Sequence, residues 1–340
     1  MARIVLGIGS SHGPMLSTPP DQWGLRVGAD KSNPEQWYKG NSYTFDELVD
    51  LRSESNFEAE ANVDVWAQKH RACRAALDKL ADVFEAAEVD VVVIFGNDQM
   101  EIFAEPLIPA ISVWRGEEIP NYFPGEEYLS RLPVGIEVSV PGHVAPEGAT
   151  NPGHQELADS IISQAMNDNF DVAVLRELPP HTNHIPHAFG FIYRQIMRDR
   201  MIPSVPVLFN TFYPPNQPTV SRCYSFGESV VKAIEEWDSD ARVALVSSGG
   251  LTHFVIDEEV DRALFDTLEQ QSIEPLASLG EDIYNAGTSE IKNWIPVAGA
   301  MATLGLKPTV VDYVPCYRSA AGTGIAMGFV YWTAEDEGNA

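Results

Sequence analysis

The chain has 340 residues, 44% of them hydrophobic and 10% aromatic, enough to close a sizeable core as one large α/β domain or two ordinary ones. Asp and Glu number 49 against 22 Lys and Arg, and the resulting formal charge of -27 repels phosphate backbones and anionic lipid surfaces. Nucleic acid and membrane are therefore excluded as expected partners.

In chain order, MARIVLGIGSSHG is too short in its apolar run for a secretory signal, and no later run approaches a bilayer span, so the expected location is the cytoplasm. Residues 3–8 read as a buried strand that empties into Gly9-Ser10-Ser11-His12-Gly13-Pro14, exposing an imidazole at a strand end. His12 taken alone could equally be a hydrogen-bonded turn residue. Residues 17–56, rich in Pro, Gly, Asn and aromatics, predict a long irregular excursion with one short helix near 45–52, of the kind that covers a pocket. Apolar spacing of 3–4 over 59–87 predicts a long amphipathic helix. It feeds a second strand, 91–95, that stops at Gly96-Asn97-Asp98-Gln99.

Pro and Gly punctuate 106–146, which predicts loops and edge strands. A helix over 154–166 leads to a strand at 172–175 and then to PPHTNHIPHAFG, where three of the chain's 8 histidines (His181, His184, His187) recur at a spacing of three. The prolines forbid a regular helix there, so the three need not share a face, and surface loop histidines are the bland alternative. A strand at 205–209 and a helix over 221–237 follow. The run Val243 to Val246 then ends in Ser247-Ser248-Gly249-Gly250 and presents Thr252 and His253 before an acidic helix start. That stretch is either a site at a strand's carboxyl end or a plain capped turn. A helix over 260–270 precedes one over 290–304, for which Thr288-Ser289 serve as expected caps and Glu290 lies in the first turn, where an acid could simply offset the helix dipole. The tail 313–332 reads as a closing strand and loop. Cys73, Cys223 and Cys316 are far apart without a CxxC pair, as expected of reduced packing thiols. The repeating order of strand, polar loop and helix, with no repeat or composition break, predicts a single α/β domain with a mixed, mostly parallel sheet flanked by helices on both faces.

Strand ends thus present His12, Gln99, His184, His187 and His253, with Glu290 as a carboxylate. Two neutral donors and one carboxylate around open positions is the ligand type of mononuclear non-haem Fe(II) oxygenases. No HExxH, P-loop, GxGxxG or GxSxG pattern points elsewhere. SSHGPM, the NDQ turn, HIPHAFGF, SSGGLTH and EIKNWIPVAGAM occur in order along most of the chain. In these segments it resembles the class III extradiol ring-cleaving dioxygenases, the family of the protocatechuate 4,5-dioxygenase catalytic subunit. The resemblance implies Fe(II) held by His12, the residue at 99 and Glu290, a small aromatic diol and O2 as substrates, His253 as acid/base, and His187 or His184 beside it in the pocket. It departs from the family at Gln99, where histidine is usual, so Asp98 or His184 could supply the third ligand. The alternative is a divergent member without a working iron site, acting as a small-molecule binding protein or a different metal enzyme. Aromatics of the tail (Tyr313, Tyr317, Phe329, Tyr331, Trp332), read as exposed, predict a homodimer or higher homo-oligomer.

Overall fold

A computed structural model describes residues 1–104 and 107–334. In chain order the main sheet contains β1 (Arg3–Ser10), β2 (Val91–Asn97), β3 (Ile111–Trp114), β4 (Ala173–Leu175), β5 (Ser204–Phe209), β6 (Arg242–Ser248), β7 (His253–Val255), β8 (Thr309–Tyr317) and β9 (Thr323–Thr333). The four central strands lie in the order β1, β6, β2, β5 and are parallel. Antiparallel pairings flank them, β9 on β1 and β3 on β5. The result is a single-domain α/β fold on a mixed, mostly parallel sheet, as the order of elements predicts.

Burial explains the continuous apolar runs. Val91, Val93, Phe95, Val243 and Leu245 face a core closed by the helices Gln155–Asn167, Val220–Glu236, Glu258–Gln270 and Ile295–Thr303. Their neighbours Val92, Ile94, Ala244 and Val246 face a second core closed by Val63–Ala86 and residues 187–197. Strands buried on both faces have no reason to alternate.

Four expectations are corrected. The excursion at 17–56 is built rather than irregular: it contains a 3-10 helix (Pro20–Arg26), a helix (Val27–Ser32), a small hairpin (Gln36–Tyr38 with Asn41–Tyr43) and the expected short helix, Phe45–Leu51, closed by a Thr44/Glu47 capping box. In the Pro/Gly-rich stretch, β3 is an interior strand between β5 and β4, with Trp114 fully buried; Pro106 lies outside the described residues. Residues 286–293 form a 3-10 helix, and the α-helix begins at Ile295 with Pro296 in its first turn, so Thr288 and Ser289 are not its caps. Finally, the tail is a two-stranded hairpin in which Tyr317, Phe329 and Trp332 are buried. Those three close the core, while Tyr313 and Tyr331 are half-buried against it. Cys73, Cys223 and Cys316 are free and buried, as packing thiols should be.

Candidate active site

The site lies at the carboxyl ends of the parallel strands, where chain direction brings several loops to one edge. His12 follows β1, Asn97 ends β2 and Ser248 ends β6, whose last residues are in register with those of β1. The 3-10 turn bearing Glu290 packs across this edge because Trp294 donates from Nε1 to the Gly249 carbonyl at 2.8 Å and lies against Gly9. A Cβ on Gly9 would meet the Trp294 ring at 2.3 Å, and one on Gly250 would meet the His253 ring at 2.5 Å. Glycine is required at both positions by these close approaches rather than by a turn.

Glu290 is 2% exposed and is surrounded by donors. Its Oε1 accepts from Gln99 Nε2 at 2.6 Å and from Asn97 Nδ2 at 3.3 Å, and its Oε2 accepts from the Gly250 amide at 2.9 Å. His12 Nε2 stands 3.2 Å, and His253 Nε2 3.8 Å, from the same Oε2. Burial works to raise the Glu290 pKa, but the imidazoles of His12 and His253 more than offset it and hold the group well below the ordinary carboxylate range. Burial lowers the pKa of His12, against the pull of Glu290.

The tautomers follow from the partners. Ser248 Oγ gives its proton to the Ala188 carbonyl at 2.6 Å, so at 2.9 Å it accepts the Nδ1–H of His12. His253 donates Nδ1–H to the Leu251 carbonyl at 2.8 Å. Both rings therefore turn an Nε2 lone pair toward Glu290. Two acceptors held this close call for a proton or a cation between them, and a fixed Nδ1–H partner is the usual support of a metal-ligating histidine. His12 and Glu290 thus fit a cation. Gln99 is placed beside them, but the group it turns to Glu290 is its amide nitrogen, and among the described residues no three His, Cys, Asp or Glu side chains form a metal-holding group. A metal here would have two strong ligands from these side chains, His12 and Glu290.

Neither substitute for position 99 is available. Asp98 is turned to the chain that follows it, accepting from the amides of Glu101, Ile102 and Phe103 at 2.9–3.0 Å, while burial and the Glu101 charge push its pKa up to about 6. His184 packs edge-on against Tyr128 at 5.1 Å, beside Thr182 and Asn183, and is not part of the cavity wall. His187 is part of it, 4.8 Å from the His12 ring between centroids.

One residue that sequence reasoning missed is Glu101. Its carboxylate takes both the Nδ1 of His187 at 2.6 Å and the His187 amide at 2.8 Å. Burial opposes charge on His187, yet Glu101 beside it carries the pKa up to about 9; burial likewise opposes charge on Glu101, and His187 carries that pKa down to about 2. This pairing has a pH signature. A raised His187 contributes stability that is complete below its ordinary 6.5 and lost as pH rises through about 9, and a depressed Glu101 contributes stability that is complete above 4.5 and lost as pH falls toward 2. The difference in urea midpoint between the metal-free protein and Glu101→Gln should be widest at pH 4.5–6.5 and should shrink by pH 9; a difference independent of pH would refute the pairing. His143, also missed, lines the cavity with its pKa pushed down to about 3, first by burial and then by the charge of His187.

These groups open into a cavity of about 320 Å³, within the usual size range of small-molecule sites. Its polar floor is His12, Gln99, Glu101, His187, His253 and Glu290, and its apolar wall comes largely from Leu132, Pro133, Ile136, Val140, Phe191 and Phe254. No described helix is long and apolar enough to cross a membrane.

Residues 59–324, which contain every group of this floor except His12, match the family described as "Catalytic LigB subunit of aromatic ring-opening dioxygenase". A gallate dioxygenase of Pseudomonas putida is 30% identical over 109 residues, a segment that is 31% of this chain and spans only 30% of that relative's length. With the matched span covering most of the chain and carrying the carboxylate, the amide and the histidines that meet at the sheet edge, the chain belongs to the catalytic LigB subunit family of aromatic ring-opening dioxygenases.

Proposed function

We propose that this protein is an Fe(II)-dependent extradiol dioxygenase that opens a catechol-type ring with dioxygen. The observation that carries the reading is the convergence of His12 Nε2 and His253 Nε2 on one Glu290 oxygen, 3.2 and 3.8 Å away, at the floor of the cavity. His12 and Glu290 would hold the iron, with the amide of Gln99 beside them. When bound, the iron would supply Lewis-acid coordination for the two oxygens of a chelating diol and a neighbouring open position for dioxygen. His253 is suited to the proton work: Leu251 fixes its Nδ1–H, and the free Nε2 can take a proton from a diol hydroxyl and later return it to the opened product. Glu101 orients His187 so that its other ring nitrogen is left for substrate or dioxygen. Oxygen uptake by the Fe(II)-loaded protein with a panel of catechols, gallate and aminophenols tests the reading. Consumption with the appearance of yellow ring-fission products supports it, and none with any member of the panel defeats it.

A second reading rests on Gln99. Its hydrogen bond of 2.6 Å to Glu290 satisfies the carboxylate from within the protein and favours a divergent member that binds small molecules without iron. The variant Gln99→His separates the two. If position 99 faces the metal, the imidazole should tighten Fe(II) binding by about tenfold or more, equivalent to about 1.4 kcal/mol. Metal content measured after anaerobic dialysis at fixed free Fe(II) gives the answer, and no uptake by either protein would favour the second reading.

A further inference from the structure

The turn that presents His253 is held amide by amide. The Gly249 amide donates to the Ser10 carbonyl at 3.2 Å, the Gly250 amide to Glu290 Oε2 at 2.9 Å and the Leu251 amide to the Ala326 carbonyl at 3.3 Å. The Thr252 amide has a different kind of partner, the side chain of Asp261, whose Oδ1 accepts it at 2.8 Å. The other oxygen, Oδ2, accepts from the Thr252 hydroxyl at 2.8 Å and from the Tyr313 hydroxyl at 2.7 Å. That Thr252 hydroxyl in turn accepts the Asp257 amide at 2.9 Å. Asp261 and Thr252 are both fully buried, and Asp261 stands in the first turn of the helix Glu258–Gln270.

An acid at a helix start can be there for the dipole alone, but Glu258 and Glu259 fill that part from the exposed side of the same turn. Asp261 faces inward, where burial works against its charge and pushes its pKa up to about 7 while the hydrogen bonds from Thr252 and Tyr313 pull the other way. All of those donors are neutral. A carboxylate so placed is poorly suited to stabilising the core, since packed apolar groups do that at least as well. What it does that an apolar group cannot is grip both polar groups of one residue, the amide and the hydroxyl of Thr252. From the opposite side the Ala326 amide donates to the Thr252 carbonyl at 3.0 Å, so Thr252 is clamped between the helix and β9. The Nδ1–H of His253 reaches back across this residue to the Leu251 carbonyl, so the torsions of Thr252 set that bond. Turning the Thr252 peptide would release the ring, its tautomer and the direction of Nε2 together.

We propose that Asp261 is a positioning residue for the acid/base step: acting through Thr252, it holds His253 with Nδ1–H on the Leu251 carbonyl and Nε2 open to the cavity. The proposal rests on the ring-opening reading for the step that His253 performs, whereas the hold on the ring is measurable without any reaction.

Two measurements separate those parts. In isotope-edited histidine NMR spectra of the metal-free protein, the His253 signals, identified by their absence in His253→Ala, should show a protonated Nδ1 whose proton exchanges slowly with water. Asp261→Ala should speed that exchange by about tenfold or more. Asp261→Asn should stay close to the wild type, because its amide oxygen still accepts from Thr252 and the two hydroxyls can turn to accept from its NH2. In the iron-loaded protein, Asp261→Ala should lower kcat by about a hundredfold, the cost of an acid/base group displaced by about 1 Å, with iron content and the KM for the diol within about threefold of wild type. In a His253→Ala background the same substitution should cost no more than about twofold, because the two residues act as one unit. If Asp261→Ala does not fold, Thr252→Val, which keeps the shape and the amide, should move exchange and kcat in the same direction by a smaller factor. A rapidly exchanging His253 proton in the wild type, unchanged exchange in the folded variant, or an equal loss of turnover with and without His253 would each overturn the proposal. Faster exchange in the variant together with no oxygen uptake by the wild-type protein would overturn the ring-opening reading instead and leave Asp261 with its hold on the ring.

Discussion

Glu290→Gln is expected to empty the site of metal and abolish ring opening. The substitution preserves shape and removes one negative charge, the only carboxylate within 4 Å of the His12 and His253 rings among the described residues. It also disturbs the hydrogen bonds. Oε1 accepts from two side-chain amides and Oε2 from a backbone amide, so both oxygens must be acceptors, whereas a glutamine has one acceptor and one NH2 that would confront donors. The expected Fe(II) content after reconstitution falls to less than about a tenth of the wild-type value, since the remaining neutral ligands cannot balance the metal charge. A mismatched buried donor costs about 1–3 kcal/mol, so the melting temperature should drop by several degrees while the far-UV spectrum stays that of the folded protein. Iron retained at the wild-type level would remove Glu290 from the ligand set.

The second large effect is expected at His253. In His253→Ala the pair formed by His12 and Glu290 is intact, so iron content should be near that of the wild type, and the affinity for a diol measured without oxygen should change by no more than about threefold. Turnover should fall by about a hundred- to ten-thousandfold, the usual worth of a positioned acid/base group. Some loosening is expected as well, because the ring fills space against Gly250 and Gly287, where a Cβ would meet it at about 2.4–2.5 Å. Less than a tenfold loss in turnover would assign the proton step elsewhere, and His187 would be the next group to test.

Much of the fold is legible from local pattern. The strands at Val91–Asn97, Ser204–Phe209 and Arg242–Ser248 are continuous apolar runs because helices cover both faces of the sheet, and each ends within three residues of where its apolar run stops. Other elements are decided by partners that local pattern does not contain. Ile111–Trp114 is short and follows a Pro-rich stretch, yet it lies inside the sheet because Ser204–Phe209 and Ala173–Leu175 pair with its two edges. Residues 286–293 tighten into a 3-10 helix where Thr288 bonds back to the carbonyl of His253 and Glu290 reaches Gly250, partners that lie outside the segment.

The candidate site divides in the same way. The sequence by itself determined which residue types stand at strand ends: an imidazole after the first strand, an Asn-Asp-Gln turn after the second, and Gly-Gly with an imidazole after Ser248, because a buried strand must end in small or polar residues where it leaves the core. Only the tertiary structure decided what each of them does. Gln99 is a donor to Glu290 across 191 residues, and His187 rather than His184 reaches the cavity because Glu101, 86 residues earlier, grips it by ring and backbone. Asp98 is spent on three amides of its own turn. Strand ends follow from burial of neighbouring residues along the chain, which is local; the partner, tautomer and charge of a polar side chain are set by donors and acceptors brought from distant segments, and those exist only once the sheet has ordered its strands.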